Sequence, residues 1–350
     1  MRDASALYRP ELDVLRFFAF FAVFVHHVGA TLKADLHGPF GGLVVGGAFG
    51  VDLFFVLSAY LITDLFLREV KTFGNLNVPA FYVRRILRIW PLYFAFLVVA
   101  AAIPDRPLRG EALVWFLLFV GNWYLAKHNY PDSIGDPLWS VSIEEQFYVT
   151  WPLLFVAFGA RRLVLVGVSL LAIANVARVV LVNAGTLHPG IWCNSLARVD
   201  PIALGILLAA LQDRLPTFSG RARAALVGLG IAGLWACGSL GGFAGGGALV
   251  LYPGVAVSCL VILAGVLGWN PGGSRAARAL EYLGKISYGL YVVHVLALRA
   301  VRRVSPDWAV VALGGLALTI ALAALSYELY EKRFLRLKGR FTRVASRPLD

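Results

Sequence analysis

Arg16 and His27 stand eleven residues apart in the first apolar stretch of the chain. At about 100° per residue that spacing is three helical turns plus roughly 20°, so the two share one face about 16 Å apart along the axis. His26 falls off that face. Asp13, three residues before Arg16, is placed to pair with it across one turn. An ionisable side chain inside an apolar helix costs about 2.5–3.5 kcal/mol on insertion scales, so such residues are the first place to look for function. An imidazole there suits a general base, and a guanidinium suits an anionic substrate. Each also has a plainer reading: Arg16 as an anchor reaching to the interface, His27 as a hydrogen-bonding group between helices. Neither explains why both lie on one stripe.

Four further segments carry polar groups. GGAFGVDLFFVLSAYLIT contains Gly46, Gly47 and Gly50 for close helix approach, the acid Asp52, and Ser58 and Tyr60 beyond it. Asp52 is suited to orienting a histidine or binding a cation, or else to a structural pair with an arginine. In FYVRRILRIWPLYF, Arg84 and Arg88 lie at i and i+4 with Arg85 beside them, forks at a spacing that fits a diphosphate and a further phosphate such as coenzyme A presents. Basic clusters next to apolar runs are also ordinary topology anchors. PLWSVSIEEQFYVTWP brings Glu144 and Glu145 together. Ser142 with Glu145 has the S-x-x-E spacing of a capping box, which leaves Glu144 unaccounted for. The pair suits holding an imidazole in one tautomer or contacting an acceptor sugar. Asn194, Arg198 and Asp200, and then Tyr288, Tyr291 and His294, read as interhelical hydrogen-bonding groups.

The elements that position these groups must be membrane helices. Of 350 residues, 59% are hydrophobic and 15% charged, against roughly a quarter charged in soluble domains. This excludes a water-soluble enzyme and predicts an all-α, polytopic membrane protein. Apolar runs extend over Leu12 to Leu32, Leu43 to Phe66, Ile86 to Ile103, Ala112 to Leu125, Phe147 to Phe158, Leu163 to Val182, Leu196 to Leu211, Ala224 to Leu240, Ala248 to Trp269, Ile286 to Val301 and Trp308 to Leu325. The net charge of +12 lies between the runs as the positive-inside bias requires, so it does not imply nucleic acid. Basic residues around Arg68, Lys71 and Arg84 to Arg88, and in the tail from Lys332 to Arg347, place both regions in the cytoplasm. The N-terminus joins them there, behind Arg2, Asp3, Arg9 and Glu11. The number of crossings is then even. With Ala112 to Leu125 the shortest polar-flanked run and not crossing, about ten spans are expected. Arg299, Arg302 and Arg303 break the charge rule. Cys193, Cys237 and Cys259 have no ligand or disulfide spacing and read as packing residues, and no metal is expected. The whole of 1–350 reads as one membrane domain, its spans covering about 12–330 and a basic tail 331–350.

Taken in order, the Arg16-to-His27 pair, GVDLFFVLSAYLIT, FYVRRILRIWPLYF, LWSVSIEEQFYVTWP, RVDPIALGILLA and ISYGLYVVH resemble the membrane-bound acyltransferase family 3. That family includes O-acetyltransferases of lipopolysaccharide O-antigen, exopolysaccharide and Nod factor, and macrolide acyltransferases. One departure is Ser58, Ala59, Tyr60, where relatives more often read SGF. Many relatives carry a C-terminal extracytoplasmic SGNH domain. None is present in these 350 residues, so the expectation is that any second transfer is made by another protein.

The resemblance implies acyl transfer, commonly of acetyl, from cytoplasmic acyl-CoA to a hydroxyl, commonly on a sugar. His27 and Arg16 match the family's histidine and arginine, Arg84, Arg85 and Arg88 its basic motif, and Glu144 and Glu145 its acidic motif. The resulting expectation is a multi-pass protein of the inner, cytoplasmic membrane. His27 is its general base, Asp52 or Glu144 orients the ring, Arg16, Arg84, Arg85 and Arg88 bind the donor, and Glu145, Ser58 and Tyr60 bind the substrate. The expected acceptor is a glycan, glycolipid or lipid-linked sugar at the outer side, or a small secreted metabolite. Two other classes compete: a carrier or flippase of a lipid-linked sugar, weighed against by the lack of internal symmetry, and a non-catalytic scaffold in which Arg16, His27 and Asp52 merely pair.

Overall fold

The computed structural model describes residues 8–32 and 39–344. Arg2, Asp3 and Arg347 lie outside them. Among the described residues the secondary structure is entirely helical, in the order α1 (Pro10–Leu32), α2 (Pro39–Gly47), α3 (Gly50–Phe73), α4 (Val78–Ala102), α5 (Gly110–Leu117), α6 (Gly121–His128), α7 (Trp139–Phe158), α8 (Leu163–Asn183), α9 (Asp200–Leu211), α10 (Gly220–Leu240), α11 (Ala248–Val266), α12 (Arg275–Lys285), α13 (Ser287–Val304), α14 (Gly315–Ser326) and α15 (Lys332–Lys338).

Seven helical stretches among the described residues are long and apolar enough to cross a membrane: Pro10–Leu32, Gly41–Phe73, Val78–Ala102, Ala160–Asn183, Gly220–Leu240, Gly245–Val266 and Val310–Phe341. The run from Ala112 to Leu125 breaks into α5 and α6, eight residues each. Each is about 12 Å long against a hydrocarbon core of about 30 Å, so neither crosses alone. Three runs expected to span do not meet the length and composition criteria. Helix α9 has 12 residues, α7 carries Glu144 and Glu145, and α13 carries polar and basic side chains. Much of α7, α9 and α13 is buried against neighbouring helices, so their sequences need not be uniformly apolar.

Helix α1 packs against α2, α3, α12 and α13. Glycines set the approach of the first two: a Cβ at Gly47 would lie 2.3 Å from the Ala22 carbonyl oxygen, and one at Gly50 the same distance from that of Ala19. Any larger residue would drive α1 away and displace His26 and His27 with it.

Two arginine–aspartate pairs are among the ion pairs of the helical interior. Arg198 donates to Asp52 at 2.6 Å and is sandwiched by Trp192 and Tyr252, with ring centroids at 4.1 and 4.7 Å. Arg178 donates to Asp200 at 3.0 Å and to the Ala197 carbonyl at 2.7 Å. They tie α3, α8, α9 and the segment before α9 together. The three arginines that break the charge rule are accounted for at the other end of the molecule. Arg299 pairs with Asp132 and Arg303 with Asp105, both at 2.7 Å, while Arg302 donates to the Thr31 carbonyl. Cys193 and Cys259 are buried and all three thiols are free.

Candidate active site

Three cavities follow one another along α1. The one toward the N-terminal end of α1, called the inner one for that reason, has a volume of about 100 Å³ and is walled by Arg16, Ser58, Arg85, Arg88 and Lys338, among others. A second, about 90 Å³, shares Arg16, Ser58, Arg85 and Arg88 with it and adds Glu144, Tyr148, Ser140 and Tyr291. The third, about 820 Å³, shares Val51 and Tyr291 with the second and holds His26 and His27. The arginine end and the histidine end of α1 thus border a succession of cavities, each sharing wall residues with the next.

At the inner end, Arg16 is fixed by Asp13 at 2.7 Å, the one-turn pair expected from their spacing. Arg85 packs over the rings of Phe81 and Tyr148, both at 5.3 Å. Arg85 and Arg88 have no carboxylate partner within ion-pair distance among the described residues, and the Arg85 Nε is buried without a hydrogen bond. Not all of the basic motif lines this wall, however, and Arg84 is engaged elsewhere. It donates to the Phe341 carbonyl at 2.7 Å and faces Glu69 at 3.6 Å. The pair lining the passage is therefore Arg85 with Arg88, not Arg84 with Arg88.

In the middle, Glu144 accepts from Ser58 at 2.9 Å, and Tyr148 donates to the same hydroxyl at 3.4 Å. Glu145, one residue on and about 100° around the helix, leaves the passage and accepts from Trp90 Nε1 at 3.0 Å. It closes no capping box: α7 begins at Trp139, and Ser142 lies inside the first turn, donating to the Leu138 carbonyl. Tyr60 is also elsewhere. It takes a hydrogen bond from Arg9, donates to Gln212 at 2.8 Å, and faces a separate inner pocket of about 550 Å³.

At the outer end, His27 Nδ1 lies 2.9 Å from the Val23 carbonyl. A carbonyl only accepts, so Nδ1 carries the proton of the neutral ring and Nε2 keeps its lone pair for another partner. The ring is oriented by main chain, and neither Asp52 nor Glu144 does so, because Asp52 is engaged with Arg198 and Glu144 with Ser58. His294 stands edge-on to His27 with centroids 4.7 Å apart, and His26 at 5.2 Å.

The outer cavity is built largely from residues that sequence reasoning missed. Trp139, Trp192, Tyr130 and Phe243 supply flat apolar walls, and Asp136, Asp132, His188 and Arg299 supply polar groups. Asp136 accepts from the Ser133 N–H at 3.0 Å, and burial pushes its carboxyl up to about 7 against the opposing pull of Arg299. Burial also moves His188 down. Aromatic and acidic residues in the polar stretch from Tyr130 to Trp139 were the available signal.

Residues 9–328 match the model of a family described as an acyltransferase domain. The chain belongs to that acyltransferase family. The matched residues take in α1 through α14 and so every cavity-lining residue except Tyr8, Lys338 and Val344 of the inner cavity. The family's relatives include the peptidoglycan O-acetyltransferase OatA of Listeria monocytogenes, 36% identical over 44% of this chain and 25% of the relative. A Bacillus subtilis protein named "Putative peptidoglycan O-acetyltransferase YrhL" is 29% identical over 93% of this chain and 54% of the relative. The chain spans about half the length, or less, of these acyltransferase relatives. No solved structure matches it.

Proposed function

We propose that this chain is an O-acyltransferase of the cytoplasmic membrane that moves an acetyl group from acetyl-CoA, bound from the cytoplasm, to a hydroxyl of a glycan or lipid-linked sugar in the outer cavity. The observation that supports this reading is the succession of three cavities with shared wall residues, from the one at Arg85 and Arg88 to the one at His27. A polyanion at one end and a hydroxyl at the other are what the two ends suit chemically. With α7, α9 and α13 counted as internal spans beside the seven longer ones, about ten crossings result, the even number that the loop charges require.

In this reading Arg16, Arg85 and Arg88 hold the phosphates of the donor. The pantetheine arm runs past Ser58, Glu144 and Tyr148, and the thioester reaches His27. Transfer is direct. The acceptor hydroxyl gives its proton to His27 Nε2 as its oxygen attacks the thioester carbonyl. The C–S bond of the tetrahedral intermediate then breaks, and the thiolate leaves as coenzyme A, taking the proton from the imidazolium. Trp139 and Trp192 offer flat faces to sugar rings, and Asp136 a hydrogen-bonding group. Two relatives carry peptidoglycan in their names, which makes that glycan the acceptor to test first.

The purified protein in nanodiscs should release coenzyme A and acetylate added peptidoglycan fragments when given labelled acetyl-CoA. It should also be stabilised against heat by micromolar coenzyme A. A protein that neither binds coenzyme A nor consumes acetyl-CoA, yet moves lipid-linked sugar between leaflets, would be the carrier instead.

A further inference from the structure

Arg16, Arg85 and Arg88 come from α1 and α4, but a further cation reaches the same inner cavity from the far end of the chain. Lys338, the last residue of α15, lines it. Its position is held by neighbours on both sides. Helix α15 packs on α4, Arg84 of α4 donates to the Phe341 carbonyl at 2.7 Å, and Arg343 donates to Asn75 at 3.2 Å. Lys338 has no ion-pair partner among the described residues. The aspartates on the cavity wall are engaged elsewhere: Asp13 with Arg16, and Asp64 with Arg9 and Arg68. Lys338 also lies beyond the residues matched by the family model, so nothing about the family's own motifs marks it.

Three cations without a carboxylate, Arg85, Arg88 and Lys338, around one small cavity repel each other and lower the stability of the empty protein. A ligand with several phosphates reverses the sign of that term. Two arginine forks suit paired phosphate oxygens, and a lysine ammonium is a compact charge that meets a single one. We propose that Lys338 is a phosphate-binding residue of the donor site, delivered over its cytoplasmic mouth by the C-terminal helix. This rests on the reading that the donor is a coenzyme A thioester. The same phosphate chemistry is offered by an anionic lipid headgroup at the inner leaflet, and the test separates the two.

The full chain is placed in nanodiscs of phosphatidylcholine or of phosphatidylglycerol, and the Kd for coenzyme A and for pantetheine is measured for the wild type, Lys338→Ala and Lys338→Arg. The expected result is a Kd for coenzyme A raised about ten-fold in Lys338→Ala, the worth of one charge-assisted hydrogen bond. Lys338→Arg should recover most of it, pantetheine binding should not change, and the effect should appear in both lipids. Equal coenzyme A affinity in wild type and Lys338→Ala overturns the proposal. So does an equal loss for pantetheine, which marks a packing role, or a loss confined to phosphatidylglycerol, which marks a headgroup site. If the wild type itself does not bind coenzyme A, the donor reading fails, and the Lys338 assignment fails with it.

Discussion

Two sets of arginines lie inside this helical body and meet opposite surroundings. Arg178 and Arg198 are fully buried, and each faces an aspartate, Arg198 with aromatic rings against its guanidinium as well. Arg85 and Arg88 are half-buried and border cavities, with no acid within ion-pair distance among the described residues. Burying a charge is tolerable when a partner is built in, and such a pair ties helices together. A charge held in a cavity without one is under tension until a ligand supplies it. The first set is architecture, and under the proposed function the second is the donor site.

The largest effect that tests this division is at the histidine end. Replacing His27 by Ala should lower acetyl transfer by about 10²–10⁴-fold, the usual worth of a general base, while coenzyme A binding at the arginine end stays within about two-fold. Transfer assays and a binding titration on the same preparation check both. Near-normal transfer by a folded His27→Ala protein would remove the base assignment. Next is the paired set. Arg198→Ala strands Asp52 in the interior, and breaking such a pair costs about 3–5 kcal/mol. A steep loss of melting temperature and of folded protein should result, with the surviving fraction retaining normal affinity for coenzyme A. Weakened binding in well-folded Arg198→Ala would mean the division is drawn in the wrong place.

The unpaired set should behave in reverse. Arg88→Ala is expected to weaken coenzyme A binding by about ten-fold or more, one or two charge-assisted hydrogen bonds. The unliganded protein should melt no lower than the wild type, because a repulsive neighbour of Arg85 has gone. Arg84→Ala, whose side chain is occupied with Phe341 and Glu69, should instead change stability more than donor affinity.

Helix α1 was legible almost in full, because its face and its Asp13–Arg16 pair depend only on local spacing and helix pitch. Glycine placement likewise announced the close packing of α2 and α3 on α1. What spacing cannot carry is partner choice across the sequence. Asp52 finds Arg198 at a separation of 146 residues, and Arg84 finds Phe341 at 257. Those two contacts removed one expected orienting carboxylate and one expected donor ligand. The expected count of about ten spans goes beyond the seven stretches long and apolar enough among the described residues, because α9 is short and α7 and α13 carry polar groups that neighbouring helices shelter. The outer cavity was hidden for a different reason. Its walls come from loops such as 129–138 and 184–199, where no periodicity reports which side chains converge.

Asp136, on one of those loops, is the place where the division between paired and unpaired charge is sharpest and the expected effect smallest. Its Oδ2 is held by a main-chain N–H, its Oδ1 is buried without a partner among the described residues, and burial outweighs Arg299 in setting its titration near 7. An acid whose folded value is raised keeps its proton while the unfolded chain has lost its own, so between about pH 4 and 7 the folded state loses stability as pH rises. The loss for each pH step is at most of order 1 kcal/mol, the size of one pKa unit. The amide introduced by Asp136→Asn does not titrate, yet its carbonyl oxygen still accepts from the Ser133 N–H. The melting temperature of Asp136→Asn minus that of the wild type should therefore climb between pH 5 and 7 and level off above. If Asp136 instead belongs with the paired set, ionised and held by Arg299, the variant melts lower than the wild type across the whole range, because an attraction to Arg299 beyond that of Asp132 is lost.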